Sequence, residues 1–121
     1  MKKRRILVVD DDSMNLVRTE MILAKEYGVI LAESGMEALD KLREEKVDMV
    51  LLDIDMPEMN GMETFERMKE FAADIPVIFL TASGLEEDVV NAIRLGAVNY
   101  LKKPFRPQEL MRRVAQEFEK K

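Results

Sequence analysis

The chain contains no cysteine and no histidine among its 121 residues, and the two absences exclude several kinds of chemistry. Without cysteine there is no disulfide, no thiol nucleophile and no thiolate metal site. Without histidine there is no Ser-His-Asp triad, no zinc site of the usual composition and no phosphohistidine on this chain. Reactive groups must therefore be sought among carboxylates, hydroxyls and lysine.

Glycine-rich phosphate loops and long apolar runs are also missing. The five glycines form neither a G-x-x-x-x-G-K nor a G-x-G-x-x-G pattern, so nucleotide binding by either device is not expected. No stretch is long enough to span a membrane. Residues 2–5 resemble the start of a signal peptide, but the apolar run behind them is short and stops at three aspartates. We expect a cytoplasmic protein with no membrane partner.

The charge balance is acidic, with 19 Lys and Arg against 24 Asp and Glu and a net charge of -5. Nucleic-acid binding needs a basic face, so this balance argues against direct contact with nucleic acid. The length, together with 47% hydrophobic and 36% charged residues, is typical of one folded domain. We expect residues 1–121 to form a single domain with no output domain.

Five apolar runs alternate with helical patterns along the chain. The predicted strands are residues 5–10, 29–32, 48–53, 76–81 and 98–102. The third strand is apolar at successive positions, which is typical of a strand covered on both faces.

Apolar residues at helical spacing mark the predicted helices between and after these strands. Asp12 or Ser13 is a natural N-cap for the first helix, and Gly28 and Gly96 are predicted stops for the first and fourth. We expect the apolar stripes, and most of the ten methionines, to be core. The stripes are Met14, Val17, Met21 and Ala24; Met36, Leu39 and Leu42; Phe65, Met68 and Ala72; Leu85, Val89 and Ile93; and Leu110, Val114 and Phe118.

Alternating strands and helices predict an α/β fold, a parallel five-stranded sheet between two layers of helices. The flavodoxin-like (βα)5 arrangement, with strand order 2-1-3-4-5, fits five such units. In that order the first and third strands are neighbours, and ligands bind at the carboxyl ends of the strands. The fold therefore predicts that Asp10, Asp11 and Asp53 lie together.

Polar residues at the strand ends indicate a site for a divalent metal and a phosphoryl group. Three carboxylates in close proximity repel one another, and a cation relieves this repulsion. Mg²⁺ prefers carboxylates, water and phosphate oxygens. Asp53 is the best-placed nucleophile, because a carboxylate that attacks phosphorus forms an aspartyl phosphate. Lys103 would supply a positive charge to the phosphoryl oxygens, and Thr81 a hydroxyl donor.

These motifs together resemble the receiver domain of two-component response regulators, over essentially the whole chain. The motifs are LVVDD at 7–11, LLDIDMP at 51–57 followed by Gly61, LTA at 80–82 and YLKKPF at 100–105. By this resemblance Asp53 is the phosphoacceptor in a Mg²⁺-dependent reaction, with Mn²⁺ as a substitute ion. Asp11, Asp53 and the backbone carbonyl of Asp55 would hold the metal, and Asp10 would act through a water. The Lys103–Pro104 bond would be cis.

The resemblance also implies a switch and its partners. A sensor histidine kinase, a phosphotransfer protein or a small acyl phosphate would donate the phosphoryl group. Thr81 would then move toward the phosphoryl oxygens and Tyr100 would turn inward. The surface formed by the fourth helix, fifth strand and fifth helix would change and bind a protein partner or a second copy. The protein would catalyse only its own phosphorylation and dephosphorylation. Asp55 and Ser83 occupy positions at which, in the family, the side chain affects how long the phosphoryl group persists.

Two other interpretations remain open at this point. Asp53-Ile54-Asp55 also resembles the D-x-D motif of haloacid-dehalogenase-type phosphatases, although in those enzymes the motif belongs to the first strand. The chain is alternatively a phosphate-independent interaction module that works through its surface. Every acceptor residue is in place, so the sequence gives this second alternative no support.

Overall fold

Five strands and five helices alternate in the computed structural model, which describes residues 3–82 and 86–120. The strands are β1 (Arg5–Val9), β2 (Gly28–Ala32), β3 (Met49–Asp53), β4 (Val77–Thr81) and β5 (Asn99–Lys102). The helices are α1 (Ser13–Leu23), α2 (Gly35–Glu44), α3 (Gly61–Ala72), α4 (Glu86–Arg94) and α5 (Pro107–Glu119).

The strands form one parallel sheet in the order β2-β1-β3-β4-β5, as the sequence predicts. The register pairs Val9 of β1 with Leu52 of β3, and Asp53 of β3 with Leu80 of β4. The carboxyl ends of the three central strands therefore meet at one edge. β2 and β5 are the outer strands.

Two apolar clusters lie on opposite faces of the sheet and explain the three layers. Alternate residues of β1 point to opposite sides, so that Leu7 and Val9 belong to one cluster and Ile6 and Val8 to the other. The first cluster packs against α2, α3 and α4, and the second against α1 and α5. β3 and β4 are buried at every position, which accounts for their uninterrupted apolar sequences.

The predicted apolar face of α1 is wrong. Met14 and Met21 are 67% and 69% exposed and Val17 is also exposed, whereas Leu16 and Leu23 are buried against the sheet. Two apolar stripes on this helix satisfy the same spacing, and the path of the chain from β1 turns the leucine stripe inward. Residues 14, 17 and 21 are therefore an apolar surface of the protein and not part of its core.

The prediction for methionine is correct only in part. Met49, Met56, Met59 and Met68 are buried, but Met36 is exposed together with the two methionines of α1. Met36 lies in the first turn of α2, ahead of the residues that face the sheet. Among the side chains of α4 that the structure describes, Ala92 is buried and Ile93 is exposed. Leu85 and the side chain of Val89 lie outside the described residues.

Several predicted ends shift by one or a few residues. Gly28 does not end the first helix, which closes at Leu23; Gly28 begins β2, where its N–H donates to the carbonyl of Arg4 at 2.9 Å. Residues 10, 48, 76 and 98 lie just outside the strands. Within residues 3–82 and 86–120, no helix has the length and apolar character needed to cross a bilayer.

Replacing Leu23 by Ala should lower the free energy of unfolding by about 2–5 kcal/mol, because it leaves a cavity beneath α1. Replacing Met21 by Ala, two residues away on the exposed side, should change it by less than about 1 kcal/mol. Urea denaturation of the two variants measures both values. Equal losses would contradict the orientation of α1.

Candidate metal centre at the carboxyl edge of the sheet

Three aspartates from two neighbouring strands meet at the carboxyl edge. Asp10 and Asp11 directly follow β1, and Asp53 is the last residue of β3. Each offers a carboxylate oxygen, and these oxygens all lie within 4.8 Å of one another. Asp10 and Asp53 are 2% and 4% exposed, whereas Asp11 faces solvent. The structure thus brings together the trio that the sequence predicts.

The turn from β1 into α1 holds the Asp10 carboxylate in place. The N–H of Asp10 continues the sheet by donating to the carbonyl of Ala32 at 3.1 Å. The N–H of Asp12 donates to Oδ1 of Asp10 at 2.9 Å, and the Asp12 side chain caps α1 by accepting from the N–H of Met14 at 2.9 Å. Asp12 is therefore the N-cap, and its carboxylate serves the helix instead of the trio.

Lys103 supplies a positive charge to the carboxylates. Its Nζ lies 2.6 Å from Oδ2 of Asp10 and 3.5 Å from Oδ2 of Asp53. The N–H of Lys103 donates to the carbonyl of Thr81 at 2.7 Å, so β4 fixes the start of this side chain. The Lys103–Pro104 bond is cis, as expected. The tighter pairing of Lys103 with Asp10 leaves the Asp53 charge only partly compensated.

The environment of Asp53 disfavours its charged form. The pKa of this carboxyl is raised from 3.8 to about 6, and burial is the largest cause. Lys103 lowers the pKa, Asp10 raises it, the N–H of Asp55 lowers it through a hydrogen bond of 3.3 Å, and Asp11 raises it. The carboxylate proposed as the nucleophile is thus one whose charged form an added cation would stabilise.

The chain that follows β3 comes close to the main chain of Asp53 where α3 begins, at Gly61. A methyl group on Gly61 would overlap the carbonyl oxygen of Asp53, so only glycine fits there. Glu58 has a φ of 65°, a left-handed conformation that a side chain disfavours. Asp55 is exposed and lies two residues beyond Asp53. The role expected for its backbone carbonyl stays a prediction.

The remaining predicted residues follow along the sheet. Thr81 ends β4, is buried, and pairs in register with Lys102. Tyr100 is 39% exposed on β5. Ser83 lies outside the described residues.

The donor set fits a hard divalent cation. It consists of carboxylate oxygens, two of them buried, with one exposed carboxylate at the mouth of the site. Mg²⁺ is held in proteins by one or two carboxylates together with water and phosphate oxygens. The site therefore has suitable ligands for Mg²⁺.

Sequence reasoning did not predict the cavity beside Lys103. Its volume is about 290 Å³, and α1 contributes three polar residues to its wall. The spacing of these residues on one side of α1 was the available signal, but it is visible only once the helix orientation is known. The lining residues are Asn15, Arg18, Thr19, Ala82, Lys103, Pro104 and Phe105.

Comparison with known proteins identifies related chains. The family model for the response regulator receiver domain matches residues 6–115. The chain is 40% identical over 111 residues to the transcriptional regulatory protein CpxR of Escherichia coli K12, covering 91% of this chain and 47% of the relative. It is 44% identical over 100 residues to the transcriptional regulatory protein ZraR of Klebsiella oxytoca, covering 82% and 23%. The chain thus spans about half, or less, of the length of these curated relatives.

Solved structures agree with this match. A CheY-like response regulator receiver domain from Methanospirillum hungatei JF-1 has a TM-score of 0.93 and 31% identity, with 98% of this chain and 96% of that one covered. The chemotaxis protein CheY4 of Vibrio cholerae has a TM-score of 0.88 and 29% identity, with 94% and 98% covered. Both similarities extend over almost the whole of each chain.

Replacing Asp53 by Asn should stabilise the protein at pH 7 without divalent ions, by about 1–3 kcal/mol, because it removes a charge that the folded state disfavours. The folded pKa, about 6, lies above the ordinary 3.8. The wild type therefore loses stability as the pH rises from about 4 to about 6. The difference in free energy of unfolding between Asp53→Asn and the wild type, here called the gap, increases over that range.

Thermal unfolding between pH 3.5 and 8 measures this gap, with Asp40→Asn, at an exposed position of α2, as the matched control. Added Mg²⁺ should narrow the gap at pH 7 by stabilising the wild type. A gap that does not depend on pH would contradict the raised pKa of Asp53.

Proposed function

Since this chain belongs to the response regulator receiver domain family of two-component systems, we propose that it is a phosphorelay switch with Asp53 as phosphoacceptor. The observation that carries the proposal is the buried Asp53 carboxylate, held beside Asp10, Asp11 and the Lys103 ammonium. This arrangement combines a nucleophile, a set of metal ligands and a counter-charge for phosphoryl oxygens.

In the proposed reaction a carboxylate oxygen of Asp53 attacks phosphorus. A phosphorus–oxygen bond forms, and the bond from phosphorus to the donor histidine nitrogen breaks with its electron pair staying on that nitrogen. The donor is the phosphohistidine of a kinase or of a phosphotransfer protein. With a small acyl phosphate in their place, the bond from phosphorus to the acyl oxygen breaks, and that oxygen leaves with the electron pair as a carboxylate. The protein's own catalysis is limited to gaining and losing this phosphoryl group.

The site residues divide the work of charge neutralisation. Asp11 and Asp53, with the backbone carbonyl of Asp55, would hold Mg²⁺ or Mn²⁺, and Asp10 would act through a water. When bound, the metal neutralises carboxylate charge and polarises the phosphoryl group. Lys103 exchanges part of its pairing with Asp10 for the phosphoryl oxygens.

The response is proposed to pass along the sheet. Thr81 closes on the phosphoryl oxygens and Tyr100 turns inward from its half-exposed position. An unchanged Tyr100 ring environment on addition of beryllofluoride and Mg²⁺, measured by NMR, would contradict this step. Exposed apolar residues on α4, on β5 and just before β5 support the α4, β5 and α5 face as the surface that meets a protein partner or a second copy; they are Val90, Ile93, Val98 and Tyr100.

A second apolar surface suits the phosphodonor. Phosphohistidine must reach Asp53, so the donor must cover the surface next to the site. α1 begins beside the carboxylates and exposes Met14, Val17 and Met21 on one side. We therefore assign this stripe to donor docking, which gives the unexpected orientation of α1 a function.

The proposal for nucleic acid is restricted to residues 1–121. CpxR and ZraR, which are longer than this chain, are named transcriptional regulatory proteins. For a longer protein that contained residues 1–121, these names therefore do not support the absence of a role at DNA. For residues 1–121, acting as one receiver domain in the cytoplasm, we still propose no direct contact. The family match favours the receiver over the haloacid-dehalogenase-like phosphatase. The phosphate-independent module remains the alternative that experiment must exclude.

Intact mass after incubation with acetyl phosphate tests the phosphoacceptor directly. We expect a phosphoryl adduct that requires Mg²⁺, is absent in Asp53→Asn and persists in Asp40→Asn.

Lys103→Ala should reduce the rate of adduct formation by about tenfold or more, since a charge beside the phosphoryl group is lost. If beryllofluoride binds with Mg²⁺ but no adduct accumulates, the adduct is short-lived. If neither forms on a folded protein, the phosphate-independent module is correct.

A further inference from the structure

β5 lies at the edge of the sheet, where main-chain groups on the outer side have no neighbouring strand. At Tyr100 both main-chain groups are nevertheless bonded by side chains. Its N–H donates to Oδ1 of Asn99 at 2.8 Å, and its carbonyl accepts from Nη1 of Arg113 at 3.0 Å. Two side chains thus replace the missing strand at the proposed switch residue.

Asn99 connects these bonds to a buried carboxylate of α5. Its Nδ2 donates to Oε2 of Glu117 at 3.0 Å, and its Oδ1 also accepts from Nη1 of Arg113 at 2.7 Å. Glu117 is 4% exposed and also accepts from Nζ of Lys120 at 3.3 Å. Arg113 and Glu117 are one helical turn apart, so the Asn99 amide lies against both.

The orientation of the Asn99 amide follows from the chemistry of its neighbours. Arg113 can only donate and a carboxylate of Glu117 can only accept, so only one placement of the Asn99 oxygen and nitrogen satisfies both. Reversing the amide would leave a buried carboxylate without this donor and bring two donors together. Asn99 is therefore held rigidly and in turn holds Tyr100.

We propose that Asn99 is a positioning residue that ties the main chain of Tyr100 to α5, so that the Tyr100 ring turns on a backbone that stays in place. This inference rests on the proposed function, in which Tyr100 is the switch residue. β5 and α5 then form one unit in both states. The structural response at the output face is confined to the Tyr100 ring and α4, while α5 presents an unchanged surface.

Hydrogen exchange of the Tyr100 amide, measured by NMR and corrected for intrinsic rates, tests this clamp in the protein without phosphate. Asn99→Ala should speed the exchange by about threefold to tenfold, because the acceptor is lost. Amides of Val8 and Leu51 in the central strands report global opening. If the Tyr100 amide exchanges no faster relative to them, the clamp does not exist.

Two neighbouring arginines provide a matched pair. Both arginines lie 4.0 Å from Oε2 of Glu109, but among the described residues only Arg113 donates to Asn99 and Tyr100, and Arg112 is 66% exposed. Arg113→Ala should therefore loosen Tyr100, whereas Arg112→Ala should not. If the two substitutions speed exchange of the Tyr100 amide equally, the cause is a general loosening of α5, and the proposal is overturned.

A donor–acceptor exchange tests Glu117. Asn99→Asp keeps the acceptor for Tyr100 but places a second carboxylate against Glu117, so Tyr100 protection should fall. Adding Glu117→Gln restores a donor–acceptor pair in the reverse sense, and protection should return to within about threefold of the wild type. If the double variant is no better protected than Asn99→Asp, the link to α5 is refuted.

The same amide measured with beryllofluoride and Mg²⁺ tests the switch. Tyr100 protection should stay unchanged in the wild type while the signals of its ring shift. Loss of protection on activation would mean that the backbone moves, and would overturn the proposal. Failure of the proposed function would appear differently, as a missing phosphoryl adduct at Asp53 beside an intact Asn99 clamp.

Discussion

Repulsion among three carboxylates at the ends of β1 and β3 is the constraint on which the rest of the structure depends. The fold buries two of them and offers one ammonium, whose closest contact is with Asp10 at 2.6 Å. Asp53 is left buried with a pKa of about 6, so at neutral pH its charge costs stability. A divalent cation relieves this repulsion, whereas a phosphoryl group adds negative charge that the cation and Lys103 must compensate. A site that is destabilising when empty is therefore ready to respond to its ligands.

In the proposed function the response passes outward along the parallel sheet, because the strand ends that carry the site residues lie next to one another. Asp53 pairs in register with Leu80, one residue before Thr81, and Phe79 pairs with Tyr100 on the edge strand. Each step crosses one strand. The Asn99 bonds to Glu117 and Arg113 then connect Tyr100 to α5. In this proposal, events at Asp53 reach an exposed face through β3, β4 and β5.

The sequence predicted those features that follow from chain order. Alternating strands and helices predict a parallel sheet, so that the strand ends lie at one edge. The order 2-1-3-4-5 then makes β1 and β3 neighbours, so the carboxylate trio was predictable. The face of α1 was not, because Met14 and Leu16 belong to stripes of equal periodicity and only packing selects one. The Asn99–Glu117 pair was not predictable either: 18 residues separate the two, and neither carries a local signal.

Proton release on Mg²⁺ binding tests the central claim most directly. Calorimetric titration at pH 6, in two buffers of different ionisation enthalpy, counts the protons displaced. With Asp53 near its pKa, the account predicts release of about half a proton per Mg²⁺ at pH 6, almost none at pH 8, and weaker binding to Asp53→Asn. Binding at pH 6 without proton release, or with undiminished affinity in Asp53→Asn, would contradict it.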